Sequence, residues 1–227
     1  MRHDISVPIP AAGVICEGHL TGPEDPRAAV LFGDCEPVAR RDPGRTDVSD
    51  RLARAGVATV STDLLTRREQ AIDERTARLR FDVGLLAGRL VTAVDWWASR
   101  QAPSPVPIGL FGAGAGAAVA LVAAARRPAV VGAVVCRDGR PDRAGAASGA
   151  VRVPTLLMVN ERDRCLVTLN QQAAAALRVP CQLRLLPDTA DPAAGAPELA
   201  ALWAAAWFTE HLSWMAAGVA QRRPANQ

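Results

Sequence analysis

The residues with the clearest chemical pattern form a glycine-rich turn, Gly112-Ala113-Gly114-Ala115-Gly116. The turn follows a short apolar run, Pro107 to Phe111, and precedes an Ala-rich helical segment that ends at Arg126. Strand, sharp turn and helix in this order are typical of the G-x-S-x-G nucleophile elbow, in which a strained turn exposes a serine hydroxyl. Here Gly114 occupies the serine position. The sequence therefore predicts the frame of a nucleophile elbow without its nucleophile.

A thiol is the other group that could act as a nucleophile. The chain has five cysteines with no C-x-x-C pair, which favours free thiols in a reducing compartment. Cys35 and Cys165 both follow predicted strands, but a thiol needs a nearby cation or base to form the reactive thiolate. Asp34 and Glu36 flank Cys35 and oppose that ionisation. Whether Cys35 or Cys165 is reactive stays open.

The glycine-rich turn also supports a function of a different class. Gly112 to Ala117 matches G-x-G-x-x-A between a strand and a helix, and Asp138 lies near the end of the next strand. A dinucleotide could place its pyrophosphate at that helix N-terminus. The motif is short and falls in the middle of the chain, so we expect no cofactor. We also expect no metal, because no ligand spacing joins the candidate ligands Asp34, Cys35, Asp163 and Asp191.

Composition excludes several chemistries. The 227 residues are 49% hydrophobic and 22% charged, as in an ordinary globular domain. All 26 basic residues are arginine, and the chain has neither lysine nor tyrosine. Schiff-base chemistry, a P-loop lysine and the Tyr/Lys pair of short-chain dehydrogenases are therefore impossible. The Ala, Arg, Gly and Pro bias is typical of a GC-rich bacterial genome.

Charge and hydropathy predict a cytoplasmic protein. The net charge is +3 and the arginines are scattered along the sequence, so we expect no nucleic-acid partner. The longest apolar run, Ala113 to Ala125, is too short to span a bilayer, so we expect no membrane partner. The first residues lack the apolar core of a secretory signal.

Strands that alternate with helices predict an α/β fold: a mostly parallel, doubly wound sheet with an N-terminal antiparallel hairpin. The predicted hairpin joins Ile5–Ile9 to Val14–Leu20. The predicted parallel strands are Ala28–Phe32, Val57–Asp63, Pro107–Phe111, Val130–Cys136, Thr155–Val159 and Gln182–Leu186. Besides the helix that ends at Arg126, the predicted helices are Val48–Ala55, Phe81–Ser99, Thr168–Leu177 and Glu198–Ala217. We find no repeat or linker and expect one domain over residues 1–227.

This order of elements resembles the dienelactone-hydrolase-like branch of the alpha/beta-hydrolases, in a bacterial subgroup often found beside or fused to phosphoribosyltransferase domains. The most specific strings are Leu64-Leu65-Thr66, LRFDVGLLAGRL from Leu79 to Leu90, Gly139-Arg140-Pro141-Asp142, and the turn from Gly112 to Gly116. The resemblance implies the alpha/beta-hydrolase fold. It also implies hydrolysis of esters or lactones by Ser (or Cys), Asp and His, in that chain order.

Carried onto this chain, the resemblance places the nucleophile at Gly114, the acid at Asp163 and the base at Asp191, in the loop after the last strand. The first has no side chain, and the last is a carboxylate where the family has histidine. The three histidines of the chain lie elsewhere in the sequence, at His3, His19 and His211.

The oxyanion loop also departs from the resemblance. The subgroup typically has a His-Gly-Ser-Gly-like stretch here, whereas this chain has Gly33-Asp34-Cys35-Glu36-Pro37. Two carboxylates would repel an oxyanion, and Pro37 has no N–H to donate. The degenerate oxyanion region is thus Asp34, Cys35 and, after the elbow, Ala115.

We therefore expect a catalytically silent protein of the hydrolase fold that binds a small ligand or a protein partner. An ester or lactone hydrolase with a displaced nucleophile is the alternative within the family. Trp214 and Met215, close to the chain end, are candidates for a homodimer contact.

Overall fold

The computed structural model describes residues 3–34, 43–101, 106–187 and 196–221. Eight strands form one sheet in the order β1-β2-β4-β3-β5-β6-β7-β8. The strands are β1 (His3–Ala11), β2 (Val14–Gly22), β3 (Ala28–Asp34), β4 (Val57–Asp63), β5 (Ile108–Ala113), β6 (Val131–Arg137), β7 (Thr155–Asn160) and β8 (Cys181–Leu186). The α-helices of the described residues are α1 (Pro43–Arg54), α2 (Arg67–Thr76), α3 (Val83–Arg100), α4 (Gly116–Arg126), α5 (Arg164–Ala176) and α6 (Ala196–Gln221).

The N-terminal hairpin is confirmed. β1 pairs with β2 in antiparallel register, with Ala11 opposite Val14. The two turn residues, Ala12 and Gly13, have φ values of 48° and 87°, as a type I′ hairpin turn requires. β2 then pairs antiparallel with β4, and β3 to β8 run parallel to one another. This is the predicted mostly parallel sheet of an alpha/beta-hydrolase fold.

Helices cover both faces of the sheet. α3, α4 and α5 pack with the sheet in one apolar cluster, and α1 and α6 pack in a second cluster on the opposite face. Every residue of α4 from Gly116 to Ala124 is buried. Because its side chains are mostly alanine and glycine, the helix backbone can approach the sheet on one side and neighbouring helices on the other sides. The Ala-rich segment after the elbow is therefore a core helix.

Two helices depart from the prediction because of a polar cap at their start; α1 also begins earlier, at Pro43 instead of Val48, and α6 extends from Ala196 to Gln221. α2 lies in the charged stretch after β4, where apolar periodicity predicts no helix, since only Asp73 of this helix is buried. Its start is fixed by a capping box in which Thr66 and Glu69 exchange side-chain-to-backbone hydrogen bonds. α5 begins at Arg164 instead of Thr168 because Asp163 caps it.

The carboxyl ends of β3, β5, β6 and β7 meet at one edge of the sheet, which we call the carboxyl edge. The chain passes from β3 to β4 on one side and returns to β5 on the other side of β3. Strand order therefore reverses between β3 and β5. In open α/β sheets, ligands bind outside the carboxyl ends of the strands at such a point. The elbow follows β5 there.

Candidate functional site

Gly114 lies at the tip of the turn between β5 and α4, in a left-handed conformation with φ of 53°. Its N–H donates to the carbonyl of Arg137 at 3.0 Å, and its own carbonyl accepts from the Ala117 N–H at 3.4 Å. These two bonds fix the turn against the end of β6 and the first turn of α4. A nucleophile elbow is thus retained as backbone geometry, and Gly114 occupies its exposed tip.

Two glycines permit this tight turn. A Cβ on Gly112 would overlap the carbonyl group of Gly116, and a Cβ on Gly139 would overlap the Gly114 carbonyl oxygen and the Ala117 side chain. Both contacts involve backbone, which cannot move aside without opening the turn. By contrast, a Cβ on Gly114 would meet nothing within 4 Å. Space at the tip is therefore open, and only its backbone conformation favours glycine there.

A cavity of about 410 Å³ opens beside the elbow tip, at the carboxyl edge. This volume is in the range of small-molecule sites. Its described lining residues come from the elbow, the segment after β6 and the link between α2 and α3: Phe81, Val83, Gly114, Ala115, Asp138, Gly139, Arg140 and Arg143. The cavity therefore has apolar, carboxylate and guanidinium groups within reach of one small ligand.

The two arginines of the cavity differ in their partners. Arg140 forms a bidentate pair with Asp142 at 2.8 and 2.7 Å, and this pairing lowers the pKa of Asp142 and raises that of Arg140. The Arg143 guanidinium instead lies 5.8 Å from the ring centroid of Phe81, and it has no ion-pair partner among the described residues. Phe81 is 51% exposed. This pair forms an open, amphipathic wall.

Asp138 follows β6 with φ of 45°, in the left-handed region. Its backbone N–H donates to the Met158 carbonyl at 2.8 Å, and its Oδ1 accepts from the Asn160 N–H at 2.9 Å. Arg137 Nε lies 3.3 Å from its Oδ2. Asp tolerates this backbone region better than most residues, and these bonds stabilise it. Because both carboxylate oxygens already have partners, Asp138 is poorly suited to hold a ribose hydroxyl.

Asp163 lies three residues beyond the end of β7. It is exposed, and its Oδ1 accepts from the Leu166 N–H at 2.9 Å as the N-cap of α5. It is not among the described residues that line the cavity. The structure therefore places this predicted acid after β7, as the resemblance implies, with its carboxylate engaged as a helix cap.

Sheet register shows where the first two histidines lie. His19 on β2 is opposite Ser61, which is level with Phe32 and Phe111. It is therefore three strand spacings, about 14 Å, from β5. His3 begins β1, at the far edge of the sheet and at the opposite end of the strands.

His211 lies late in α6, beyond Phe208, whose ring packs against Gly109 near the start of β5. It makes an edge contact with the Trp207 ring at 4.1 Å. Gly114 follows the opposite, carboxyl end of β5, five residues after Gly109. In the described chain, the backbone positions of all three histidines are thus remote from Gly114.

Several predicted site residues fall outside the described part of the chain. These are Asp191, the predicted base position, and Cys35, Glu36 and Pro37 of the oxyanion loop. Asp34 ends β3 at the carboxyl edge, but its side chain is also outside the described part, as are those of Trp214 and Met215 on α6. Ala115 is in place, as the N-cap residue of α4 with no side-chain cap.

The described cysteines differ in burial and position. Cys165 is exposed and is the second residue of α5, two residues after Asp163. Cys16 and Cys136 are buried, and burial raises the pKa of the Cys16 thiol. Cys136 lies against the elbow, where its thiol donates to the Ala117 carbonyl at 3.6 Å, but it is buried, whereas Cys165 is exposed.

Sequence reasoning did not assign four lining residues to the site, namely Phe81, Val83, Arg140 and Arg143, and it named Asp138 only for the dinucleotide alternative. The sequence did contain a signal for three of these residues. Phe81 and Val83 belong to the LRFDVGLLAGRL string, and Arg140 belongs to the Gly139–Asp142 string, both of which carry the resemblance. Which loops meet over the elbow depends on tertiary packing, so strings far apart in sequence could not be joined without the structure.

The described residues contain neither a metal-ion cluster nor a membrane-spanning helix. In residues 3–34, 43–101, 106–187 and 196–221, no three His, Cys, Asp or Glu side chains are grouped to hold a metal ion. Within the same ranges, no helix combines the length and the hydropathy that a bilayer crossing requires.

Comparison with known proteins agrees with this fold. The family model described as "Dienelactone hydrolase family" matches residues 17–190. The crystal structure of a dienelactone hydrolase from Anabaena variabilis is 38% identical, with a TM-score of 0.85 over 93% of this chain and 99% of that one. The esterase domain of a Rhodothermus marinus protein shares the fold at 16% identity, with a TM-score of 0.65 over 92% of this chain and 99% of that domain.

Two curated proteins from two strains of Mycobacterium tuberculosis are 41% identical to this chain over 213 residues. Both are named as candidate phosphoribosyl transferases. The match covers 92% of this chain but 47% of each relative. The chain therefore spans about half the length of these relatives.

Proposed function

The chain belongs to the dienelactone hydrolase family, and we propose that it is a catalytically silent member that binds a small ligand in the cavity beside Gly114. The observation that carries this proposal is the elbow itself. Its backbone keeps the nucleophile turn, with the close contacts of Gly112 and Gly139, while its tip has no side chain. Such a turn can position a ligand carbonyl but cannot attack it.

The placement of the histidines supports the same proposal. A hydroxyl or thiol nucleophile needs a base within about 3 Å in the reactive complex. His19 is about 14 Å away across the sheet, and the other two lie toward its opposite end. Asp163 is engaged as the cap of α5. An acid without a base to orient contributes no proton transfer.

The ligand class that the cavity fits is a small, ester-sized molecule with an apolar part and a polar group. Phe81 and Val83 provide apolar surface, and Arg143 provides a guanidinium without an ion-pair partner in the described chain. We also propose that this binding domain acts beside a phosphoribosyl transferase activity, because the Mycobacterium tuberculosis relatives carry that name and are about twice as long as this chain.

A thermal-shift screen with a panel of small esters, lactones and their hydrolysed acids tests this function. We expect at least one compound to raise the Tm of the parent and to be recovered unchanged. Val83→Trp, which fills the cavity, should abolish the shift. Ile72→Trp is the matched control, because Ile72 is a partly exposed residue of α2 that does not line the cavity. Consumption of a compound, or equal shifts in both variants, would contradict the proposal.

A hydrolase with a displaced nucleophile is the second candidate, favoured by the position of Cys165, which is exposed in the first turn of α5 and within electrostatic range of Arg140. Arg140 is a cation that could stabilise a thiolate, although Asp142 already binds it in two places. Ester turnover that disappears in Cys165→Ser would establish this candidate. Turnover that persists in Cys165→Ser would exclude Cys165 as the nucleophile, and turnover that also persists in Cys35→Ser would exclude a thiol nucleophile altogether.

A further inference from the structure

The arginines are scattered along the sequence but not in space. Opposite the cavity, the parallel strands begin at the edge that we call the amino edge. Each of the six parallel strands is preceded there by an exposed arginine. We call this set the amino-edge row: Arg54 before β4, Arg27 before β3, Arg100 before β5, Arg126 before β6, Arg152 before β7 and Arg178 before β8.

Strand spacing gives this row its dimensions. Neighbouring strands lie about 4.8 Å apart, so six consecutive strands extend over about 24 Å. Arg54, Arg100 and Arg126 are the last residues of α1, α3 and α4, where a cation complements the partial negative charge of the helix C-terminus. The other three arginines lie outside the α-helices, so the dipole of an α-helix does not explain them. The row is therefore an extended basic strip that follows the sheet edge.

Four guanidinium groups of the amino-edge row, those of Arg27, Arg54, Arg126 and Arg178, have no ion-pair partner among the described residues. The other two are partly engaged: Arg152 donates to the Gly149 carbonyl at 2.9 Å, and Arg100 lies 5.0 Å from the Trp96 ring centroid.

Nearby carboxylates do not neutralise the strip. Asp95 is bound by a seventh arginine, Arg127, at 2.7 Å. Glu24 and Asp25 lie in the turn before β3, and Glu210 borders the groove beside Arg54. Among the described residues, none of the six arginines of the row forms an ion pair with Glu24, Asp25 or Glu210.

Both ends of the described chain lie at this edge. β1 begins at His3, which pairs with Gly22 beside the starts of the parallel strands. α6 runs antiparallel to those strands, with Phe208 over Gly109 near the start of β5, and continues past the buried Leu212 to Gln221. The described chain therefore both begins and ends on the side of the amino edge, and the curated relatives are about twice its length.

We infer that the amino-edge row is a docking surface for a carboxylate-rich protein surface, such as that of a second domain that continues from this edge. Guanidinium groups pair with carboxylates in bidentate geometry. A nucleic acid fits less well, since Trp96, an aromatic side chain beside the strip, is half-buried with its ring already against Arg100. This inference does not depend on the cavity or on the catalytic state of the elbow.

The test compares two quadruple variants of the full chain. The row variant replaces Arg27, Arg54, Arg126 and Arg178 by Gln. The matched control replaces four exposed arginines near the carboxyl edge by Gln: Arg68, Arg75, Arg78 and Arg164. Both lose four charges. Fluorescence anisotropy with labelled polyglutamate and labelled polyuridylate at rising salt then measures affinity for each polyanion.

We expect polyglutamate to bind the parent at low ionic strength and to bind the row variant about tenfold or more weakly, with the control close to the parent. Arginine modification by phenylglyoxal gives a measurement that needs no variant: bound polyglutamate should protect the row and not the control arginines. Equal weakening of both variants, absence of binding or of selective protection, or tighter binding of polyuridylate than of polyglutamate would overturn the inference.

Discussion

Replacing Gly114 by serine, alanine and asparagine separates backbone strain from chemistry at the elbow. Because φ is 53° and no atom lies within 4 Å of the position that a Cβ would occupy, none of these side chains collides with a neighbour. The cost is the left-handed backbone, about 1–2 kcal/mol for an ordinary L-residue. Fewer unfolded conformations offset this by about 0.4–1 kcal/mol. The net loss for serine and alanine is therefore about 1 kcal/mol.

For a chain of this length, that loss lowers the Tm by about 2–4 °C. Asparagine, which tolerates the left-handed region, should lose less than either. Scanning calorimetry of the three variants measures the order. The same serine variant should remain a poor esterase, because the base position, Asp191, is a carboxylate too weakly basic at neutral pH to accept the serine proton. Gly114→Ser with Asp191→His should react slowly with fluorophosphonate and turn over weakly. A Gly114→Ser variant as stable as the parent and fully active would show that the elbow and the base position are both misassigned.

Four further outcomes follow from the described contacts. Asp163→Ala should lower stability by about 1 kcal/mol, through loss of the α5 cap, whereas Asp163→Asn should be nearly neutral; urea unfolding compares them. Gly139→Ala should cost about 3 kcal/mol by the same assay, since its Cβ would overlap the Gly114 carbonyl. Hydrogen bonds from Arg89 lower the pKa of Glu69 from 4.5 to about 2. The ionised Glu69 therefore stabilises the fold fully above pH 4.5, and this stabilisation decreases as the pH falls and is lost below about pH 2. In Glu69→Gln, the free energy of unfolding should decrease less steeply between these two pH values, as measured by unfolding at a series of pH values. Calorimetric titration with nicotinamide and flavin dinucleotides should give no saturable heat, and micromolar binding would favour the dinucleotide alternative.

Much of the fold follows from local sequence pattern. Continuous apolar runs such as Val57–Asp63 predict buried parallel strands, and the structure places β4 at those bounds. The pattern misses α2 because apolar periodicity reports burial, and this helix buries one residue, Asp73, whose carboxylate binds Arg80. Its T-x-x-E capping box at Thr66 was the available signal.

The candidate site likewise contains a part that the local sequence predicts and a part that it does not. The elbow turn could be predicted, because glycine spacing and the flanking strand and helix are local features. The cavity could not, since Phe81 and Arg143 meet only after the α2–α3 link folds over the end of β6. Neither could the amino-edge row, whose members are separated by at least 26 residues in sequence and become neighbours only through strand order.

The rate of ester and lactone hydrolysis at neutral pH, measured against a no-enzyme control, decides whether the elbow is catalytically silent. We expect that the parent protein does not exceed the control, because Gly114 offers no attacking group and, in the described chain, the backbone positions of all three histidines are remote from it. Saturable turnover that is lost in Asp163→Ala but retained in surface variants such as Arg68→Gln would show instead that the family's hydrolytic machinery still operates in this chain.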